Sequence, residues 1–347
     1  MIQRVRRSSE YNNSISTLRF FLMPFVCISL FGFPGEIGLV SSLSLFVFPA
    51  FFILFGFIDL PPKEEVRSDH LMRGIKRSAI CFGILFVCYF LVNAVYLTVT
   101  GVNWIPPVLS KRILFNFFVL NLWPFPIGAS IWFVQSLLYA YALLYFLNQK
   151  GLLQYYKILL VISMLFMLLV GEFAGVIHFH VLGYDYIPGG ALTRALPYML
   201  LGMLFREKAD QLPHIPPIGY WGLFFLGAIL SVVETILLAQ FRVLLYEGHT
   251  IGYGIMAASI CAWTFAHTEA DPSFFSRHGS SYSVWIYATA PLIHFAFMMI
   301  VGNLMPQYLG IANAYGGVIV YVLSLLLSMV IVFMIPRVSK ILGRAGK

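Results

Sequence analysis

Charge is the scarcest property of this chain. Asp, Glu, Lys and Arg make up 10% of its 347 residues, where soluble globular domains carry about 25%. With 60% apolar residues and a mean hydropathy of +0.86, that deficit excludes a water-soluble fold. Cysteine is also sparse. Cys27, Cys81, Cys88 and Cys261 all lie in apolar runs without CxxC spacing, so neither a disulfide framework nor a zinc site is expected. The motifs of soluble catalysis are missing as well: no Walker phosphate loop, no GxGxxG after a strand, no HExxH and no GxSxG. There is no heptad stripe, low-complexity tract or tandem repeat. No pair of Gly- or Pro-broken spans stands at matching positions in the two halves, which argues against a transporter built on inverted repeats.

What is present is apolar length and aromatic content, with 33 Phe and 19 Tyr suited to lipid-facing and interfacial positions. Arg4, Arg6 and Arg7 precede a first apolar run that starts at Leu18, and Phe31-Gly32-Phe33-Pro34 offers no small-residue cleavage site. This predicts a retained first span rather than a signal peptide. Further runs at 37–59, 78–101, 130–148, 154–177, 190–205, 218–241, 250–267, 280–304 and 313–336 complete a prediction of about ten transmembrane helices. The Pro-rich piece from Trp104 to Gly128 carries Lys111 and Arg112 and reads as an extracytoplasmic loop with an amphipathic or re-entrant helix. Placing both termini in the cytoplasm puts 17 Lys and Arg on the inner side, against Lys111, Arg112 and Arg242 outside, as the positive-inside rule requires. The net charge of +8 therefore reports orientation and attraction to anionic lipids, and nucleic-acid binding has no support. The expected fold is all-α, one polytopic domain over residues 1–347.

Ionisable groups inside hydrocarbon are costly unless paired or wetted, and so mark functional sites by default. Arg19, Glu172, Arg194, Glu234 and His294 fall in that class, and the two Arg and two Glu can neutralise one another. Snorkelling to the interface is the alternative reading for Glu172 and Arg194. Trp123, Trp132 and Tyr287 are suited either to stacking on a sugar ring or to the interfacial aromatic belt. His178, His180 and Asp185 in the loop between spans five and six are a conceivable metal set, but loop histidines are more commonly without such a role, and no metal is expected.

Several segments, in order, resemble the membrane acyltransferase-3 family, ten-span bacterial enzymes that move acetyl or other acyl groups onto cell-surface sugars. Leu18-Arg19 is similar to the family's Leu-Arg opening. Phe51-Phe52-Ile53-Leu54-Phe55-Gly56-Phe57 is similar to its Phe-Phe-x-x-Ser-Gly-Phe, and Arg73-Gly74-Ile75-Lys76-Arg77 to its cytoplasmic basic motif. Ile131-Trp132-Phe133-Val134, followed by Leu137-Leu138-Tyr139, resembles its Leu-Trp-Phe-Leu-x-x-Leu. Pro197-Tyr198-Met199-Leu200-Leu201-Gly202 resembles its Pro-Phe-Phe-x-x-Gly, and Ser283-Val284-Trp285-Ile286-Tyr287 its late Ser-x-Gly-Ile-Tyr. Four positions depart from the pattern. Leu30 and Ala290 replace two histidines, Phe55 replaces the second-span Ser, and Gly74 replaces one Arg of the basic motif.

The resemblance implies a membrane-bound acyltransferase, transferring groups other than amino-acyl groups, that passes an acetyl or short acyl group from a cytoplasmic donor, acyl-CoA, to a carbohydrate or envelope acceptor. Such transfer needs a base for the acceptor hydroxyl and a positive centre for the oxyanion or the donor's phosphates. On this reading Arg19, Arg73 and Arg77 face the donor, and Arg73 and Arg77, at i and i+4, converge on one phosphate. His294, one helical turn after Ala290, is the candidate substitute base. Cys27, on the helical face of Leu30, is a weaker alternative because burial suppresses a thiolate. Glu172, Arg194, Glu234, Trp132 and Tyr287 complete the expected substrate contacts. No bound cofactor is expected, with acyl-CoA serving as co-substrate, and the partners are membrane lipids, donor and acceptor. Residence in a bacterial cytoplasmic membrane follows from the same likeness. The missing histidines leave open a second reading, a degenerate member acting as transporter, flippase or non-catalytic partner in polysaccharide assembly.

Overall fold

A chain in hydrocarbon has no water for its peptide groups and satisfies them by forming helices. The computed structural model describes residues 2–33, 39–61, 64–102, 110–172, 190–240, 251–268 and 273–334, and every regular element among them is helical. In chain order these are α1 (Ile2–Phe31), α2 (Leu39–Leu43), α3 (Val47–Asp59), α4 (Glu64–Val99), α5 (Lys111–Phe118), α6 (Trp132–Gln149), α7 (Tyr156–Phe166), α8 (Leu196–Glu207), α9 (Pro217–Gln240), α10 (Ile251–Ala266), α11 (Phe274–Leu304) and α12 (Leu309–Met334). Short 3-10 turns join several of them. π-helical turns at Met167–Glu172 and Ala191–Ala195 follow α7 and precede α8.

Seven helical stretches among the described residues are long and apolar enough to cross a membrane: Tyr11–Phe31, Leu39–Asp59, Val66–Val99, Leu152–Val170, Pro217–Leu237, Phe274–Leu304 and Pro306–Met334. The protein is an integral membrane protein on this basis. The other three expected spans are shorter or more polar. α6 has 18 residues and buries Gln135, Ser136 and Asn148, α8 has 12 and α10 has 16. Helices shielded by other helices need neither full length nor a lipid-compatible surface, so hydropathy alone does not certify them.

The described residues group into two compact units, residues 1–54, 208–232 and 251–347 in the first, and 55–207 with 233–250 in the second. In the first unit α11 runs parallel to α1. The Ser280 amide donates to Ser16 Oγ at 2.9 Å, and at the far end of α1 Phe31 meets the His294 ring edge-on at 4.6 Å. α12 returns antiparallel. The Gly317 amide donates to the Gly32 carbonyl at 2.9 Å, while Phe333 lies 5.8 Å from the His278 ring near the start of α11. α10 is pinned by the Ser42–Tyr253 hydroxyl pair at 2.6 Å and by Cys261 Sγ donating to the Ala50 carbonyl at 3.6 Å.

The second unit is organised by α4, whose 36 residues make about 54 Å of helix against roughly 30 Å of hydrocarbon. The part before Ser78 carries Arg67, His70, Arg73, Lys76 and Arg77, and only the part from Ser78 onward is the expected third span. α6 packs antiparallel on it, with Arg67 Nη1 donating to Asn148 Oδ1 at 3.4 Å at one end. At the other end a non-helical stretch leads from α5 back into α6. The Phe117 ring lies 6.3 Å from Phe82 and 5.8 Å from Phe86, inside the apolar part of α4. From there the chain runs alongside α4 past Trp123, 5.8 Å from Phe86, and Phe125, 5.7 Å from Phe90. The described part of the connection between α4 and α6, residues 110–131, is thus re-entrant.

Irregular backbone at membrane depth persists only where protein satisfies it, and here side chains do so. Asn93 donates to the Tyr89 and Ile127 carbonyls at 2.7 and 2.8 Å and accepts from the Ile127 amide at 3.1 Å. Gln135 Nε2 donates to the Phe117 carbonyl at 2.8 Å, and Tyr139 Oη to the Phe118 carbonyl at 2.9 Å. Asn121, at a left-handed φ of 60°, donates to the Trp132 carbonyl at 2.7 Å and to Ser136 Oγ at 2.6 Å. Replacing Asn93 by Leu keeps its bulk but orphans the Ile127 amide, while the Ile127 carbonyl keeps the Trp123 indole donor at 2.6 Å, at about 1–3 kcal/mol for a buried group left unpaired. Thermal unfolding in lipid is expected to drop accordingly, with amide exchange rising over residues 119–128; unchanged exchange there would contradict the clamp.

Candidate functional site

α4 presents one stripe to its neighbours through Arg67, His70, Gly74 and Arg77, spaced three and four residues apart. Facing that stripe is Asp59, the last residue of α3. The carbonyl end of a helix disfavours a carboxylate, so Asp59 depends on donors from elsewhere. Arg77 Nη2 lies 2.7 Å from Asp59 Oδ2, and the Tyr141 hydroxyl donates to the same oxygen. The other oxygen, Oδ1, is 3.9 Å from His70 Nδ1. The Asp59 side chain is 5% exposed and that of His70 28%. Beside this group the buried Arg67 donates through Nε to the Pro61 carbonyl at 2.9 Å, and the Arg206 guanidinium covers the Phe57 ring at 4.9 Å.

Arg73 and Arg77 therefore do not behave alike. Arg77 turns inward to Asp59, whereas Arg73 is exposed and donates only locally, to the Asp69 carbonyl at 3.3 Å. The expected convergence of the two on one phosphate is replaced by an internal ion pair at Arg77. Gly74 explains its own departure from the family pattern. A Cβ there would lie 2.6 Å from Tyr141 Cε1, so the space a larger residue needs is filled by the ring that reaches Asp59.

A second constellation joins two residues expected to contact substrate. Arg194 is 3% exposed, and its guanidinium stacks 5.0 Å over the Trp132 ring at the start of α6, a cation–π contact strengthened by exclusion of water. The π turn that carries Arg194 has a local cause: Pro197 lacks the N–H that an α-helical turn would direct at the Thr193 carbonyl. The Gly190 amide donates to Thr193 Oγ1 at 3.0 Å and steadies the turn. One turn beyond Trp132, Gln135 is buried and its Oε1 has no hydrogen-bond partner among the described residues. Gly56 of α3 approaches α8 so closely that a Cβ would stand 2.1 Å from the Met199 carbonyl oxygen. Two segments of the family pattern thus meet directly.

In the first unit Arg19 is buried at 6% exposure. The Ser16–Ser280 and Phe31–His294 contacts set the register of α1 against α11, which places Ser283 near the level of Arg19 and Tyr287, half-buried, about one turn further on. His294 stands at Phe31, twelve residues beyond Arg19, or about 18 Å along α1. A base and an oxyanion donor must each lie about 3 Å from one reacting centre, so the structure does not bring Arg19 and His294 together for a single carbonyl. Glu234 is half-buried in α9. Glu172 closes the π turn after α7; its side chain, like His178, His180 and Asp185, lies outside the described residues. Among the described residues no three His, Cys, Asp or Glu side chains form a metal-ligating group.

Asp59, Tyr141 and Gln135 escape a reading of the sequence. Asp59 alone had a visible signal, a charge at the very end of an apolar run. Tyr141 and Gln135 look like ordinary members of an aromatic and polar stretch until α6 is folded against α4.

The chain belongs to the acyltransferase-3 family: the family model, described as an acyltransferase domain, matches residues 12–335 and so runs through both units. Together with the apolar helices this makes it a membrane protein of the acyltransferase class. No curated protein matches it, and no solved structure does.

Restoring the family's Arg at Gly74 is expected to lower the unfolding midpoint by several degrees, since overpacking costs about 1–3 kcal/mol. Combining Gly74→Arg with Tyr141→Ala should recover most of the loss in the same thermal assay. A Gly74→Arg protein as stable as wild type would contradict the assigned packing.

Proposed function

We propose that this protein transfers an acetyl or short acyl group from cytoplasmic acyl-CoA to a hydroxyl of a cell-surface carbohydrate or envelope acceptor, within a bacterial cytoplasmic membrane. The observation that carries this reading is the match of an acyltransferase family model to nearly the whole chain. Arg19, Arg67 and Arg194, each more than nine-tenths buried, are consistent with it, because ionised groups retained at that cost in a membrane scaffold are functional by default.

Arg19 is the group assigned to stabilise the oxyanion formed when the acceptor attacks the thioester, a role in which a cation held in a dry site acts strongly. Arg73, exposed on the basic segment of α4, is assigned to the donor's phosphates, and the Trp132–Arg194 pair, with Glu172 and Glu234, to the acceptor. Tyr287, half-buried on α11, is retained as a sugar-stacking residue. In the reaction the acceptor oxygen forms a new acyl C–O bond, the acyl C–S bond breaks, and the acceptor's proton ends on the sulfur of CoA, which leaves as the thiol. Leu30 and Ala290 favour the second reading, a family member that moves or helps assemble its substrate without acylating it.

The test is acyl-CoA turnover by the purified protein in lipid with envelope glycans as acceptors. Arg19→Ala should lower kcat by at least about a hundredfold, the usual effect of losing an oxyanion donor. His294→Ala should stay within a few fold of wild type, as its distance from Arg19 requires. Loss of turnover in His294→Ala with Arg19→Ala intact would move the reacting centre to the other end of α1. No turnover by a folded wild type with native acceptors present would favour the transport or assembly reading.

A further inference from the structure

We propose that Asp59 is a resident anion: its carboxylate, held by Tyr141, occupies the Arg77 guanidinium and keeps shut an anion site that a ligand's phosphate or diphosphate group would otherwise take. In naming CoA as the phosphate-bearing ligand the inference rests on the acyl-CoA reading; the anion site itself does not.

The geometry is that of a captured anion. Two donors from different helices, Arg77 Nη2 of α4 at 2.7 Å and the Tyr141 hydroxyl of α6, converge on one oxygen, Asp59 Oδ2. This is the way donors gather on a phosphate oxygen. The carboxylate gains nothing from its own helix, since it sits at the carbonyl end of α3. Its second oxygen is left toward His70, 3.9 Å away, too far for a hydrogen bond. Gly74 belongs to the same arrangement, because only a residue without a side chain leaves room for the Tyr141 ring. Where the family pattern has a further Arg, this chain has a hole filled by the tyrosine that secures the carboxylate. Arg77 is thereby neutralised, and Arg73 and Lys76 remain as exposed cations of the segment.

The consequence is selectivity by charge. A ligand rich in phosphate meets a basic segment with one guanidinium already engaged, and binding at Arg77 requires displacement of Asp59. Removing the carboxylate's charge, with its shape kept, is expected to open the site.

The experiment is calorimetric titration of the full-length protein in uncharged phosphatidylcholine nanodiscs with two probes, CoA and inorganic pyrophosphate, over a series of salt concentrations. Asp59→Asn should bind pyrophosphate about tenfold more tightly than wild type, with a gain that shrinks as salt screens the added charge attraction. The gain should vanish in Asp59→Asn/Arg77→Gln. Tyr141→Phe, which frees the carboxylate without removing it, should gain about two- to threefold and serves if Asp59→Asn fails to fold. Unchanged or weaker pyrophosphate binding in folded variants would overturn the proposal, as would a gain that survives Arg77→Gln. A pyrophosphate gain through Arg77 with no binding of CoA by any variant upholds the resident anion and counts against acyl-CoA as donor. CoA turnover by wild type with no gain in the variants does the reverse.

Discussion

At the depth of α4's apolar half every peptide group needs a partner from the protein, and the second unit is arranged around that demand. A helix meets it by itself; the stretch between α5 and α6 does not. Asn93, Gln135, Tyr139 and Asn121 supply the missing donors and acceptors. The polar content of α6 therefore follows from the re-entrant segment it supports, and so does the lower hydropathy that sets α6 apart from the seven stretches long and apolar enough to cross a membrane. With α6 fixed against α4, Tyr141 lies over Gly74 and reaches Asp59.

The same constraint separates the arginines by role. A buried guanidinium must be matched by charge, by hydrogen bonds or by an aromatic face. Arg77 is matched by a carboxylate, Arg67 by a carbonyl and an amide oxygen, and Arg194 by an indole ring. Arg73, on the outer face of α4, is exposed. A basic motif that looks uniform along the sequence is divided by the helical period into cations held inside the fold and cations exposed on its outer face.

Much of this was legible beforehand because it depends on composition and period. The helical class, the positions of the long apolar helices and a loop after the third span with an amphipathic or re-entrant helix follow from hydropathy and from proline placement, and the re-entrant alternative fits the described residues 110–128. The family follows from short segments in a fixed order. The pairing of Arg194 with Trp132 was only half visible: both residues stand out, but their contact depends on a π turn imposed by Pro197. Asp59 with Tyr141 was invisible, since α3, α4 and α6 must meet before a carboxylate at one helix end and a hydroxyl 82 residues later acquire a common partner. The separation of Arg19 from His294 was likewise a matter of register between α1 and α11, which no spacing within either helix encodes.

Acyl transfer by this membrane scaffold is tested by following the acyl group itself. The most direct measurement supplies CoA carrying an isotopically labelled acetyl group to proteoliposomes loaded with envelope carbohydrate and follows the label by mass spectrometry. Acyl transfer predicts label in alkali-labile ester linkage on the carbohydrate, dependent on the protein. Label that stays on CoA while unmodified carbohydrate crosses the membrane would contradict it.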